Sequence, residues 1–351
     1  MNDKQRVGFD LRINRFVSLI LVFTFIIGTT SVIHEIRIRS IKVSDYVTSS
    51  SGTDTLIDIK KGESGLQIAR TLYQQGVVAS SEAFFRLAVS DVRSSGIAPG
   101  IHRVQLKISA QDALTQLLDA SRIPGLVVVK EGAWRSEIFA ELTKAGFDSK
   151  SLLSAANNVK LPRGFSGTEG LFFPAQYSFV KGTSALQALQ EMVDRFSSEV
   201  VSNGLVQGKD GYTSMQLLTI ASIIQAEGDE GDFPKISQVI RNRLKKGMPL
   251  QLDTTVHFIK HSRGQIFLNL ASTKLSSPYN TYLHYGLPPG PIGTPGKAAM
   301  EASMQPMSGD WIFFITVKPG DTRFTASINE FNQWKSEYEK NYRAGLFGKK
   351  P

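Results

Sequence analysis

The stretch from Thr213 to Gly228 predicts the helix around which the rest of the chain is organised. Apolar residues recur along it every three or four positions, which is the spacing of one helical face. These positions are Leu217, Ile220, Ala221 and Ile224. The hydroxyl of Thr213 can cap the first turn, and Gly228 can end the last turn in a left-handed conformation.

Glu227 falls in the last turn of this predicted helix, on the same face as the apolar residues. Burial disfavours the charged form of a carboxyl group and raises its pKa. A carboxylic acid that stays protonated near neutral pH is what general acid catalysis requires. A Glu in a last turn is, however, more often a solvated surface residue, so periodicity alone does not choose between these interpretations.

Polar and apolar patterning also predicts the neighbouring elements. Amphipathic helices are expected at 109–118, 185–196 and 234–246, the last capped by Asp232, and a closing helix ends near Arg343. The segment from Gln251 to Val256 is polar and β-prone. A proline-rich, stiff loop follows from Ser277 to Gly296, and two strands around residues 318–321 form a hairpin.

The N-terminal region has the pattern of a membrane anchor. Residues 16–33 contain no charge and are long enough for a short transmembrane helix. A cleaved signal peptide would need a shorter apolar region and a small-residue cleavage site, and no Ala-x-Ala is present. We therefore expect a cytoplasmic tail at 1–15, an uncleaved helix at 16–33 and a linker at 34–55. The remainder would lie on the extracytoplasmic side.

An internal repeat relates residues 57–78 to residues 127–148 at an offset of 70. Each copy predicts a strand, a glycine turn and an amphipathic helix that ends at a second glycine. Such units with a Lys-x-Gly turn resemble LysM-type glycan-binding modules. The alternative is an α+β unit that binds no ligand.

Composition limits the partners of the chain. Its 351 residues suit about two domains. The net charge of +9 favours a membrane surface or an acidic polymer. Lys and Arg are dispersed and no nucleic-acid-binding motif occurs, so nucleic acid is not expected as a partner. The absence of cysteine excludes disulfides and thiol nucleophiles.

Most catalytic motifs are missing. The chain has no P-loop and no Gly-x-Ser-x-Gly elbow. His257 and His261 are four residues apart but lack further ligands nearby, so neither a metal nor a cofactor is expected. Acid chemistry at Glu227 remains. Asp253 is a candidate second carboxylate for a glycosidase. A single acid suffices if a MurNAc sugar supplies its own C6 hydroxyl as the nucleophile.

Several motifs in matching order and spacing resemble the YceG-like endolytic murein transglycosylases. They are EGLFFP (169–174), ASIIQAE (221–227), QLDTTV (251–256), YNTY (279–282), GLPPGPI (286–292) and PG (295–296). The resemblance implies an α+β fold with a transmembrane helix, a LysM-like subdomain at 56–122 and a YceG-like catalytic domain at 123–345. The second LysM-like unit, 127–148, lies within that domain.

The resemblance also implies the activity and the site. It assigns the essential acid to Glu227 and implies cleavage inside nascent peptidoglycan strands, with peptidoglycan synthases as further partners. The cleft would be lined by Glu169, Gln251, Asp253, Tyr279, Asn280 and Tyr282 together with the proline-rich loop. A hydrolase that uses Glu227 with Asp253, and a non-enzymatic glycan-binding scaffold, are the alternatives.

Four positions depart from the family pattern. Ala175 and Gln176 stand where Asp and Thr are usual, Thr254 stands where a proline commonly follows Gln-x-Asp, and Arg323 replaces a His. We expect these departures to alter cleft contacts and to leave the acid itself untouched.

Overall fold

The computed structural model describes residues 43–47, 52–60, 62–263 and 270–347. These residues divide into two compact units at the bond between Arg122 and Ile123. The predicted tail at 1–15 and transmembrane helix at 16–33 lie outside the described residues. Within the described ranges, no helix combines the length and the apolar character that a bilayer crossing demands.

The first unit pairs two antiparallel strands and packs three helices around them. Its elements are β1 (Asp54–Ile59), α1 (Gly65–Gln74), α2 (Ser81–Ser90), β2 (Gly100–Gln105) and α3 (Ala110–Leu118). Ile57 of β1 lies opposite His102 of β2. The inward side chains of both strands meet the apolar faces of the helices, where Leu72, Phe84 and Leu114 are completely buried. This unit therefore has a core of its own.

The second unit is larger and mainly helical. It begins with β3 (Leu126–Val129), α4 (Arg135–Lys144), α5 (Ser149–Ala156), β4 (Ala175–Ser178) and α6 (Ala185–Ser202). It continues with α7 (Ser214–Glu227), α8 (Phe233–Lys245), α9 (Asp253–Lys260), α10 (Lys297–Met304), β5 (Phe313–Lys318), β6 (Asp321–Thr325) and α11 (Ile328–Arg343). Strands β3 and β4 pair antiparallel, as do β5 and β6. The protein is thus a mixed α+β structure, as the sequence predicted.

The internal repeat is confirmed as a repeated local structure. Helices α1 and α4 begin and end at positions that differ by 70, and the turn before each contains a glycine with positive φ. In each copy a second helix follows, and a returning strand pairs antiparallel with the first. Each copy is therefore a strand–helix–helix–strand unit, although the second is built into the larger unit.

The central helix of the second unit is α7, and its start is as predicted. The hydroxyl of Thr213 accepts a bond from the backbone N–H of Gln216, whose side chain in turn accepts from the Thr213 N–H. The expectation of a single apolar face was wrong. Every residue from Leu217 to Ile224 is buried, because α7 is surrounded by α8, α9 and α10.

Three other local predictions were wrong for reasons of tertiary structure. Gly228 is extended (φ −156°) rather than left-handed, and it is needed because Ile236 approaches its backbone closely. Asp232 makes no side-chain cap to α8. The β-prone segment after Gln251 forms the start of α9, where the Thr255 hydroxyl donates to the Leu252 carbonyl at 2.7 Å.

Candidate active site

Glu227 lies at the last position of α7 and is partly buried, while the neighbouring Ala226 is exposed. The central helix therefore carries its carboxyl group from the core to the surface of the second unit. Burial raises the pKa of Glu227 to about 7. A large fraction of this side chain is consequently protonated near neutral pH. This environment differs from that of a fully solvated surface Glu.

The first turn of α9 meets this carboxyl group directly. The hydroxyl of Thr254 donates a hydrogen bond of 2.5 Å to Oε1 of Glu227. This bond lowers the pKa of Glu227, and so does a hydrogen bond from the Thr254 backbone, so both partly offset the effect of burial. The expectation that the departure at Thr254 leaves the acid untouched was therefore wrong.

Two charged residues influence the pKa of the acid in opposite directions. The charge of Asp253, the first residue of α9, raises the pKa of Glu227, whereas the charge of Arg243 lowers it. Arg243 is held in place because its guanidinium donates to the carbonyls of Leu250 and Ile312. Asp253 is oriented by Tyr282, whose hydroxyl donates to its Oδ1.

Glu169 belongs to a second group of residues, built around the start of α4. Its Oε1 accepts a 3.0 Å bond from the backbone N–H of Arg135, the first residue of that helix, where a carboxylate is favoured. Burial nevertheless raises the pKa of Glu169. Burial raises the pKa of Tyr279, and so does the charge of Glu169, which links this tyrosine electrostatically to the group.

The predicted loop from Ser277 to Gly296 contains no helix or strand and connects the two groups. It is fixed along α7, because Ser222 Oγ accepts from the N–H of Ile292 at 3.0 Å and Gln225 Oε1 accepts from the N–H of Gly296 at 2.9 Å. The two acceptors, Ser222 and Gln225, lie three residues apart on the helix that ends in Glu227. The loop and the acid therefore share one rigid support.

Gln251 and Asn280 have different environments. Gln251 is exposed and has a positive φ of 47°, which presents its amide at the surface. Asn280 is completely buried. Its amide nitrogen donates to the carbonyls of Thr273 and Leu275, and its Oδ1 accepts from the N–H of Tyr282. This placement is at odds with a direct sugar contact by Asn280 and gives it the role of shaping the loop.

Sequence reasoning missed two members of the site, Arg243 and the Thr254 contact. Arg243 sits among the basic residues of the last turn of α8, where a cation is common for helix-dipole reasons. Nothing in that pattern indicates its approach to Glu227. Of the two histidines, His261 lies edge-on to Trp134, with 6.0 Å between the ring centroids. The described residues include no group of three side chains suited to a metal ion.

Comparisons with known proteins agree with the motifs. The sequence profile of the YceG-like family matches residues 57–337. The endolytic murein transglycosylase of Bacillus subtilis strain 168 is 31% identical over 317 residues, covering 83% of this chain and 87% of that protein. The endolytic murein transglycosylase of Streptococcus pneumoniae strain D39 is 26% identical, and the chain spans only 55% of its length.

A crystal structure shares the fold. It is that of a yceG-like protein of Listeria monocytogenes, with a TM-score of 0.55 and 24% identity over 81% of this chain and 99% of that one. Fold and site together define a mixed α+β protein with a partly buried carboxylic acid at the end of its central helix. The chain belongs to the YceG-like family, so the resemblance drawn from its motifs is confirmed.

Proposed function

We propose that this protein is a lyase, an endolytic lytic transglycosylase that cuts nascent peptidoglycan strands between MurNAc and GlcNAc. The observation that carries the proposal is the partly buried Glu227 carboxyl group at the end of α7, which accepts a hydrogen bond from Thr254 and whose pKa burial raises to about 7. The name shared by the Bacillus and Streptococcus relatives supports the same activity. The net charge of +9 suits a substrate that bears carboxylates.

Glu227 acts first as an acid and then as a base. Its proton passes to the glycosidic oxygen as the bond from that oxygen to C1 of MurNAc breaks. The C6 hydroxyl of the same sugar attacks C1 and closes the 1,6-anhydro ring, while its proton returns to the Glu227 carboxylate. No water is consumed, the acid is regenerated, and the new anhydro end terminates strand growth.

The other side chains hold the sugars. Gln251 offers an exposed amide beside α9, and Tyr279 and Tyr282 offer aromatic faces for sugar rings. Glu169 and Asp253 accept hydroxyl hydrogen bonds. Asn280 acts indirectly, because its three hydrogen bonds fix the backbone that carries both tyrosines. The reaction needs neither a metal nor a cofactor, since one acid and the substrate's own hydroxyl balance every bond and proton.

The first unit, 56–122, acts as a LysM-like glycan-binding module. A groove of about 620 Å³ lies between β1 and α1, lined among others by Asp58, Lys60, Gln67 and Thr71. A groove of about 530 Å³ occurs at equivalent positions of the second copy, but Arg263 lines it and pairs there with Glu137. The first groove is therefore the more open site for a strand.

Residues 16–33 anchor the protein in the cell membrane as a single-pass helix, with residues 1–15 in the cytoplasm. Both units then face the outer side, where new strands are made, and peptidoglycan synthases are the expected protein neighbours. The uncharged composition of 16–33 supports this arrangement.

Digestion of glycan strands by the Glu227→Gln variant tests the catalytic proposal. The amide keeps the shape and removes the proton, so we expect turnover to fall by about 10²–10⁴-fold. Glu230→Gln, an exposed neighbour three residues away, is the matched control and should retain activity. Undiminished cleavage by Glu227→Gln would reject Glu227 as the acid, whereas a parent protein that cleaves no strands would favour the non-enzymatic scaffold.

Product masses distinguish the lyase from a hydrolase. The alternative in which Asp253 assists Glu227 has one supporting observation, since the charge of Asp253 influences the Glu227 pKa. Its carboxylate is, however, already bonded to Tyr282. We expect 1,6-anhydro ends by mass spectrometry, and reducing MurNAc ends would favour the hydrolase.

A further inference from the structure

The two oxygens of the Glu227 carboxyl group are not equivalent. Oε1 accepts the 2.5 Å hydrogen bond from the Thr254 hydroxyl, and among the residues that the structure describes no other side chain donates to this carboxyl group. In a neutral carboxylic acid one oxygen carries the proton and the other is the better hydrogen-bond acceptor. An oxygen that already accepts a hydrogen bond is therefore the less favourable one to carry the proton. In the neutral acid the proton is therefore favoured on Oε2.

We propose that Thr254 is a positioning residue that reserves Oε1 as an acceptor and so makes Oε2 the proton-transferring oxygen of Glu227. This inference rests on the proposed function, since it concerns the acid of that reaction. The same hydroxyl stabilises the carboxylate that forms when Oε2 gives up its proton, because a hydrogen bond to a charged acceptor is stronger than one to a neutral acceptor.

The position of Thr254 in α9 makes the contact rigid. It is the second residue of the helix, where backbone N–H groups have no partner within the helix, and its backbone also lowers the pKa of Glu227. The next residue, Thr255, is completely buried and bonded to the Leu252 carbonyl. The backbone of the first turn is therefore held by its own packing, which keeps Thr254 beside the acid.

Three charged or titratable residues interact electrostatically with Glu227: Asp253, Arg243 and Tyr282. Asp253 of α9 raises the pKa of Glu227, and Arg243 of α8 lowers it. Tyr282 of the loop is bonded to Asp253, and burial keeps its pKa above the usual value. A substitution at Thr254 leaves these groups in place, so a change in the titration of Glu227 reports on the hydroxyl contact.

The test compares Thr254→Val, which keeps the branched shape and removes the hydroxyl, with Thr254→Ser, which keeps the hydroxyl. The pH dependence of kcat on purified glycan strands is measured for both, and the Glu227 carboxyl is titrated directly by ¹³C NMR of its δ-carbon. In Thr254→Val the pKa should move upward by about one pH unit, since a hydrogen bond to a charged group is lost. Thr254→Ser should restore the parent value.

Every outcome of this test either supports or overturns the positioning role of Thr254. An unchanged pKa in Thr254→Val, or a failure of Thr254→Ser to restore it, overturns the role of Thr254 even if rates have fallen. The NMR titration gives this answer for an inactive variant as well. A different experiment tests the proposed function. That function is rejected if Glu227→Gln cleaves strands as fast as the parent protein, whatever the Thr254 variants show.

Discussion

Gly228 and Ile236 approach each other so closely that a Cβ atom at position 228 would lie 2.3 Å from Cδ1 of Ile236. Ile236 belongs to α8 and is completely buried, so an added Cβ would force this side chain to shift within the core. The residue after the candidate acid is therefore a glycine because of packing and not because of its backbone angles. This close approach lies directly after Glu227, where the end of α7 packs against α8.

Gly228→Ala should consequently damage the site. We expect a loss of about 1–3 kcal/mol in the free energy of unfolding, typical of an overpacked core, and a clear fall in kcat, because the shift occurs beside Glu227. Gly231→Ala is the matched control, since a Cβ there has no neighbour within 4 Å. Denaturant unfolding and strand cleavage would check both variants. Equal behaviour of the two would contradict the packing argument.

The activity should decline as the pH rises through the pKa of the acid. Glu227 must be protonated to act, and its pKa is about 7. We expect kcat/KM to fall about tenfold per pH unit well above that value. The Glu230→Gln variant should give the same profile as the parent protein. A rate that stays level far into the alkaline range would show that the protonated form of Glu227 is not required.

The free energy of unfolding should fall as the pH rises through the range in which Glu227 titrates. The pKa of Glu227 is raised from 4.5 to about 7 on folding, so the folded state binds more protons than the unfolded state between these values. This group therefore lowers the free energy of unfolding as the pH rises through that window, by up to about 3 kcal/mol. Glu227→Gln lacks the effect. Chemical denaturation across this window should show the variant gaining stability relative to the parent, and a constant difference would argue against a buried acid.

Much of the fold could be predicted because local patterns and final structure agree. The repeat at an offset of 70 predicted both strand–turn–helix units, and the capping residue Thr213 predicted the start of α7. The hairpin around residues 318–321 and the last helix to Arg343 were also predicted. In these places the residues that set the local structure lie within a few positions of one another.

The parts of the site that escaped prediction depend on contacts between distant segments. Helix α9 begins in a β-prone sequence because Thr255 and Thr281, 26 residues apart, bond to each other and to the turn before it. Arg243 reaches the acid only because α8 folds back beside α7. No periodicity or capping signal encodes such contacts, so the sequence pointed to Glu227 and Asp253 but not to Arg243 or to the Thr254 hydrogen bond.

Asn280 and Gln251 should respond differently to substitution. Asn280→Ala removes the bonds to two buried carbonyls and to the Tyr282 N–H, which should cost about 1–3 kcal/mol of stability. Gln251→Asn keeps a residue type that tolerates positive φ and withdraws the amide from the surface. It should leave stability nearly unchanged and raise KM. Thermal unfolding and steady-state kinetics would check both, and a stable Asn280→Ala variant with only a raised KM would instead support direct sugar contact.

The two grooves of the repeat offer a matched comparison for glycan binding. Thr71 and Glu141 occupy equivalent positions, and each lines its own groove. Thr71→Trp should fill the open groove of the first unit and weaken binding to insoluble peptidoglycan by about tenfold, or ~1.4 kcal/mol. Glu141→Trp should have little effect, because Arg263 and Glu137 already pair across the second groove.

Cosedimentation with peptidoglycan would measure both variants in the full chain, in a Glu227→Gln background so that the strands stay uncut. The common background removes any contribution from turnover, and the two tryptophans change equivalent helical positions. Equal binding by both variants would show that the groove between β1 and α1 does not hold the strand, and the first unit would then be a structural module. Weaker binding by Glu141→Trp alone would move the glycan site to the second copy of the repeat, next to the start of α4 where Glu169 is bound.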